Sequence, residues 1–376
     1  MTLLEVITNA SNAIGKSVNR RESEYPIVLN PDPVFRELRP DSDDPKSLFP
    51  VEKVVGWEIS QTDAEIIESD RKFSKKLRRR LKDSKSFGKD EFVDILTSYL
   101  LKSAERVGIS SSFDRKREDY ACEVVEKLGF LISRDLRGLV LEGCIKMEVW
   151  NLLDRLIIKG LIERSRMPDL ISKLIESQKS DSIVLAVKHL DLQAYDILCI
   201  LKYFLLPPSD EHSCLANVMK HWEAQALSSI DKASGNGVRG EDLSLAKDAA
   251  LSIMLAHDEF ASNELCLHYL LASPNFDGMM FSACVGNLSG AEIGALVRYL
   301  GKWIRKYDRF PQAVPTPEAS FLLGLEVCNW IPTLESVAKC VGMVVDEHFS
   351  SLVLNSELDE FASLDRVVRS LAAEAR

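Results

Sequence analysis

The chain has 376 residues, 46% of them apolar, and a formal net charge of −10 with a sequence pI near 5.3. This length can bury a sizeable core, and the acidic balance argues against nucleic-acid binding over the whole surface. No stretch reaches the roughly eighteen apolar residues of a membrane helix, and the first residues lack the basic start of a secretory signal. The cysteines lie singly among apolar residues, which is typical of reduced core thiols in a cytosolic or nuclear protein.

The first quarter of the chain predicts little regular structure. Residues 1–20 are expected to hold one short strand, Leu3 to Ile7. Residues 21–70 are rich in proline and acids and poor in periodic apolar residues, so they cannot offset the entropy of ordering. Residues 71–89 then hold ten Lys or Arg against one acid, so this window carries +9 and the rest of the chain −19. We therefore expect 21–89 to be a mostly disordered linker, acidic and then basic.

The basic run is the candidate functional site. Its density of positive charge is typical of a segment that an importin binds or of one that neutralises phosphates on RNA. The alternative is a solvated, partly helical linker whose charges balance the acidic segment before it. Phe73 and Phe87 are the aromatic residues close enough to stack on bases, so a sequence-specific reader is not indicated. The residues assigned to targeting or RNA contact are Lys75, Lys76, Arg78, Arg79, Arg80 and Lys82.

From residue 90 to residue 373 the pattern predicts helices throughout. The first spans Asp90 to about Val107, and a second passes through Cys122 to Gly129. Closely spaced amphipathic segments fill 134–206, where apolar residues recur at three- and four-residue intervals and leave almost no room for strands. Tight turns between short helices indicate pairwise stacking. The predicted fold is all-α, an irregular α-solenoid-like stack of helical hairpins behind a largely extended or disordered N-terminal segment.

The second half continues the same pattern. A helix is expected over about 211–230, and the Gly-rich loop 231–242 is expected to be flexible and to divide the helical domain into two subdomains. Ser289 with Glu292 forms a capping-box pattern, and Thr316 with Pro317 predicts an N-cap followed by the first helical residue. The last helices are placed at about 321–331, 333–352 and 357–373.

Three motif matches point to chemistry, and each has a simpler interpretation. Residues 10–17 fit a relaxed phosphate-loop pattern, but no parallel strands or metal-binding Asp follow, so nucleotide binding is the minor alternative. Residues 235–240 satisfy G-x-G-x-x-G, yet helical patterns flank them, which favours an interhelical loop. The pairs Cys266/His268 and His212/Cys214 lie two residues apart and point in different directions on a helix, which disfavours zinc. We expect no enzyme activity, cofactor or metal.

Short pieces of the helical region carry a family resemblance. They are Met167 to Leu170, Ile197 to Leu205, Ala249 to His257, Leu296 to Leu300, and Thr316-Pro317 leading to Cys328 to Ile331. Over residues 86–376, their order and spacing resemble the C-terminal half of the nucleolar protein 11 family. That family carries an N-terminal β-propeller, so residues 1–20 would be its remnant strand. The resemblance implies that the chain is a fragment, a short isoform or an incomplete gene model.

The resemblance also implies a function. It is that of a non-catalytic scaffold of the small-subunit processome in the nucleolus, supporting pre-rRNA transcription and 18S rRNA maturation. The implied partners are the U3 RNP and other processome proteins of the transcription-linked subcomplex. From its charge, the basic run is expected to contact pre-rRNA, the U3 RNP or an importin, and no membrane contact is expected. The alternative is a helical-repeat adaptor in another complex, such as trafficking or coat machinery.

Overall fold

A computed structural model describes residues 61–82, 87–109, 113, 114, 117, 119–207, 215–235, 239–274 and 276–354. The chain divides into two units, Met1–Ala64 and Glu65–Arg376, and all but the first four described residues belong to the second. The strand at 3–7, the phosphate-loop match at 10–17, the disordered segment at 21–60 and the helix at 357–373 were predicted for residues outside the described ones.

The described residues form fifteen α-helices and three short 3-10 helices, with no strand among them. The α-helices are α1 (Gln61–Lys82), α2 (Lys89–Arg106), α3 (Tyr120–Leu128), α4 (Arg134–Lys146), α5 (Trp150–Ile158), α6 (Met167–Glu176), α7 (Ser180–His189), α8 (Ala194–Leu205), α9 (Ala216–Ala233), α10 (Glu241–His257), α11 (Ser262–Leu271), α12 (Gly278–Val285), α13 (Gly290–Arg309), α14 (Glu318–Leu323) and α15 (Leu334–Leu354). The 3-10 helices are Gly129–Leu131, Arg164–Arg166 and Glu326–Trp330.

The helices stack as hairpins, which confirms the all-α, solenoid-like prediction. The two helices of each hairpin pack on each other in α2/α3, α4/α5 and α6/α7. Along one side of the stack, the successive neighbours are α3, α5, α7 and α11. Helix α8 packs on α6, α11, α12 and α13, so it joins the first hairpins to the later ones. Helix α15 covers α12 and α13. Because each hairpin leaves an apolar face uncovered, the next hairpin must pack on it.

A recurring turn closes several of these hairpins. After α2, α4, α5 and α6 the chain takes one left-handed residue: Gly108 (φ 76°), Glu148 (φ 53°), Gly160 (φ 62°) and Gln178 (φ 53°). In each turn the next N–H donates to a carbonyl five residues earlier, as from Val149 to Cys144 at 2.9 Å and from Leu161 to Leu156 at 2.9 Å. This hydrogen bond gives a partner to a carbonyl of the last helical turn, and the left-handed residue that follows the helix reverses the chain sharply.

One continuous apolar core runs from α1 to α15. Its largest fully buried side chains include Trp222 of α9, Tyr269 of α11, and Tyr299 and Trp303 of α13. The predicted capping box at α13 is present, since the Ser289 N–H donates to the Glu292 carboxylate at 2.6 Å. Since buried residues before and after residue 240 belong to this one cluster, the core does not divide there.

Four local predictions differ from the structure. Residues 61–82 are helical and not part of a disordered linker, because apolar residues at four-residue intervals let this segment join the core. The segment 231–242 contributes to both α9 and α10, which pack on each other as one hairpin and do not separate subdomains. Helix α14 begins at Glu318, so Thr316 is not its N-cap. The helix expected at 321–331 is broken at Gly324, whose φ of 64° ends α14.

Candidate functional site

Helix α1 is amphipathic, and its apolar face is anchored in the core. Phe73, Leu77 and Leu81 recur every four residues and are 8%, 1% and 3% exposed. The Phe73 ring stacks on Tyr99 of α2, with centroids 4.0 Å apart and an interplanar angle of 12°. The Tyr99 hydroxyl donates to the Asp70 carboxylate, and burial, followed by that carboxylate, raises the pKa of Tyr99. These contacts fix which face of α1 is turned to solvent.

The residues predicted for targeting or RNA contact lie mostly on that solvent face. Five of the six are exposed: Lys75, Lys76, Arg78, Arg79 and Lys82. The sixth, Arg80, is half-buried, with its Nη1 atom 3.1 Å from Oε1 of Glu91 on α2. Within the described part of the chain, no ion pair joins the five exposed residues to a carboxylate. The structure therefore places five of the predicted residues on the solvent face of α1, whereas the sixth, Arg80, forms an ion pair with α2.

Helical spacing arranges the exposed cations in two rows, and both rows begin before the predicted set. One row is Arg71, Lys75, Arg78 and Lys82, and the other is Lys72, Lys76 and Arg79. With a rise of about 1.5 Å per residue, the longer row extends over roughly 16 Å. Lys72 also pairs with Glu68 at 2.8 Å, although both side chains are well exposed. Our sequence-based set omitted Arg71 and Lys72, which the i, i+4 spacing could have identified once the segment was treated as a helix.

The two aromatic residues near the basic run are not on its surface. Phe73 belongs to the anchored face described above. Phe87 is 3% exposed and meets the Phe92 ring edge to face, with centroids 6.3 Å apart and an interplanar angle of 90°. Neither ring can stack on a base while α1 and α2 hold these positions.

An acidic cleft lies against the start of α2. It has a volume of about 480 Å³ and is lined by residues of α2, α3 and α5 and of the turn before α5. Its carboxylates come from Asp90, Asp94, Asp119 and Glu148, with Trp150 forming part of the wall. These four carboxylates outnumber the single cation of the lining, Lys89, so the cleft disfavours anions.

His268 is a structural residue of the core. It is fully buried, its Nε2 lies 2.9 Å from the Ala256 carbonyl, and its Nδ1 lies 2.8 Å from the Tyr299 hydroxyl. Since a carbonyl only accepts, Nε2 carries the proton and Nδ1 accepts from Tyr299. Both nitrogens are thus occupied, and neither can bind a metal. Burial lowers the pKa of His268 to about 3, which keeps the ring neutral.

One of the remaining motif matches lies between described helices, and another lies outside the described residues. The G-x-G-x-x-G match lies between α9, which ends at Ala233, and α10, which begins at Glu241. His212 and Cys214 lie outside the described residues. Among the residues that the structure describes, no cluster of three or more His, Cys, Asp or Glu could hold a metal, and no helix has the length and apolar character to cross a membrane.

Fold and site together define an all-α, solenoid-like protein with an exposed basic helix. Searches of protein-family models, of curated proteins and of solved structures found no match to this chain.

Proposed function

We propose that this protein is a non-catalytic scaffold of the nucleolus, acting in the small-subunit processome, and that α1 is the helix that directs or fastens it there. The role would support pre-rRNA transcription and 18S rRNA maturation through protein contacts. The processome assignment rests on the sequence resemblance to the nucleolar protein 11 family. The main structural support is the ordered basic face of α1 on an otherwise acidic chain.

The shape of the helical stack supports the scaffold part of the proposal. Stacked hairpins present extended outer faces on which partners bind without rearranging the core. Several large apolar side chains are exposed on the surface of the stack: Phe321 is 91%, Met279 85% and Leu227 69% exposed. Phe321 is followed by Leu322, which is 58% exposed on the same short helix α14. Adjacent exposed apolar residues are typical of positions where a partner covers the surface.

The proposal is tested with fluorescent fusions of the full chain in cells. In the α1 variant, Lys75, Lys76, Arg78 and Arg79 are replaced by Ala. In the distal control variant, the same numbers of Lys and Arg are removed from exposed positions on α9, α10 and α13: Lys220, Lys247, Arg298 and Arg305. We expect the parent chain and the distal control in nucleoli and the α1 variant in the cytoplasm or dispersed. A cytoplasmic parent chain contradicts the proposal.

Affinity purification of the parent fusion, with identification of bound proteins and RNA, tests the complex. We expect processome proteins and U3 RNP components to dominate the purified set. Membrane-coat or trafficking proteins in their place would favour the alternative adaptor function and overturn the nucleolar assignment.

A further inference from the structure

We infer that the solvent face of docked α1 binds the phosphate backbone of a nucleic acid and does not read its base sequence. This inference rests on the proposed role of α1 as a contact surface and specifies the ligand class. The binding surface consists of the two rows of exposed cations, Arg71, Lys75, Arg78 and Lys82 beside Lys72, Lys76 and Arg79.

Self-repulsion within α1 favours an anionic ligand. Cations four residues apart face each other along both rows, for example Arg71 with Lys75 and Lys72 with Lys76. Like charges at this spacing destabilise a helix. Lys72 and Arg80 have carboxylate partners, at Glu68 and Glu91. A polyanion that lies along the rows would relieve the repulsion that remains.

The docking of α1 decides between classes of polyanion. An amphipathic helix binds an anionic membrane by inserting its apolar face. Here that face, with Phe73, Leu77 and Leu81, is already buried in the core. A receptor that reads a basic run as an extended chain would have to unfold α1 and expose the same three side chains. A phosphate backbone needs neither change, since it lies across the folded surface, and Arg pairs with phosphate through two parallel N–H groups.

The same packing explains why the contact would be insensitive to sequence. Base stacking needs an exposed ring, and Phe73 and Phe87 are both in the core. Reading a base edge with a helix requires insertion into a groove. One side of α1 is fixed by the stacking of Phe73 on Tyr99. Over residues 71–82, the exposed side chains on its other side are all Lys or Arg. Contacts of this kind position a protein on the backbone without selecting bases.

The expected signature is a steep dependence of affinity on salt. If about five cations each neutralise one phosphate of a duplex, the logarithm of the binding constant falls with a slope of about −4.5 against the logarithm of salt concentration. Affinity then drops about 500-fold between roughly 50 and 200 mM salt. Removing four of the seven cations leaves three, so the slope should be no steeper than about −2.7 and the drop at most about 40-fold.

The test is fluorescence anisotropy with the purified full chain and four labelled probes of about 20 nucleotides or base pairs: duplex RNA, duplex DNA, oligo(U) and oligo(A). The α1 variant and the distal control variant carry the same charge change, so only the position of the lost cations differs. Circular dichroism establishes that both variants keep the helical content of the parent. We expect the distal control to retain the parent slope, the α1 variant to lose it, and oligo(U) and oligo(A) to bind within a few-fold of each other.

Three results would overturn the inference. One is no binding of the parent chain to any probe at low salt; if the fusion is still nucleolar, the proposed function stands and α1 serves an acidic protein surface instead. Another is equal loss of affinity in the two variants, which would place binding outside α1. The third is a tenfold or larger preference between oligo(U) and oligo(A), which requires base contacts. Binding with no nucleolar localisation would instead refute the proposed function and leave this inference intact.

Discussion

The buried His268 should make the stability of the fold depend on pH. Burial is the main reason that its pKa falls to about 3, and nearby Lys306 adds to the effect. In the unfolded chain the pKa returns to about 6.5. Between these two values the unfolded state binds a proton that the folded state does not. The stabilisation from this residue is therefore complete above about pH 6.5 and is lost progressively as the pH falls toward 3.

The magnitude follows from the two pKa values. Each pH unit between them is worth about 1.4 kcal/mol, so lowering the pH from about 7.5 to about 5 should cost the fold about 2 kcal/mol through His268 alone. Other buried groups shift in both directions, since burial raises the pKa of Asp154 and lowers that of His221. A comparison of the parent chain with His268→Gln cancels those contributions, because Gln keeps one donor and one acceptor but does not titrate.

The assay is urea unfolding followed by tryptophan fluorescence at both pH values. Trp222 and Trp303 lie 5.4 Å and 4.9 Å from the His268 ring, so their emission reports this part of the core. We expect His268→Gln to be less stable than the parent at pH 7.5 but to lose about 2 kcal/mol less on acidification. Equal pH dependence in the two proteins would refute the assignment of His268 as a neutral core residue.

Two further predictions concern packing. Gly143→Ala should destabilise the protein by about 1–3 kcal/mol, because the added carbon would lie 2.3 Å from the Phe92 ring. In the same helix, Gly138→Ala would meet only the Arg166 side chain at 3.5 Å, and should be neutral or stabilising by up to about 1 kcal/mol in thermal unfolding. Leu77→Ala should release α1, seen as faster amide exchange across 61–82 with little change elsewhere, and uniform acceleration along the chain would contradict local docking.

The position of α1 links the site to the fold. The same helix that carries the basic rows also adds Phe73, Leu77 and Leu81 to the core. Substitutions on its two faces should therefore separate the two roles. Loss of Leu77 acts on docking first, whereas loss of Lys75 and Arg79 acts on charge and leaves the buried contacts in place.

Local periodicity was sufficient to predict the helical class and many element bounds. Apolar spacing placed the first long helix at about 90–107, and the structure has α2 at Lys89–Arg106. The Ser289/Glu292 pattern placed the start of α13 correctly, since a capping box involves residues only three apart. The basic residues of the site could also be named from composition, because charge density is a property of the sequence alone.

Long-range packing decided what local patterns could not. The sequence predicts that the basic run is part of a linker, yet three apolar side chains at four-residue spacing dock it on α2. Glu148 and Gln178 close hairpins in left-handed conformations that only the surrounding stack imposes, since neither residue type signals such a turn. The sequence thus determined the helical class and where the positive charge lies. Only the tertiary structure decided that this charge forms two rows on a docked helix. The reason is that burial of the apolar side of α1 determines which side of the helix, with its cations, is exposed to solvent.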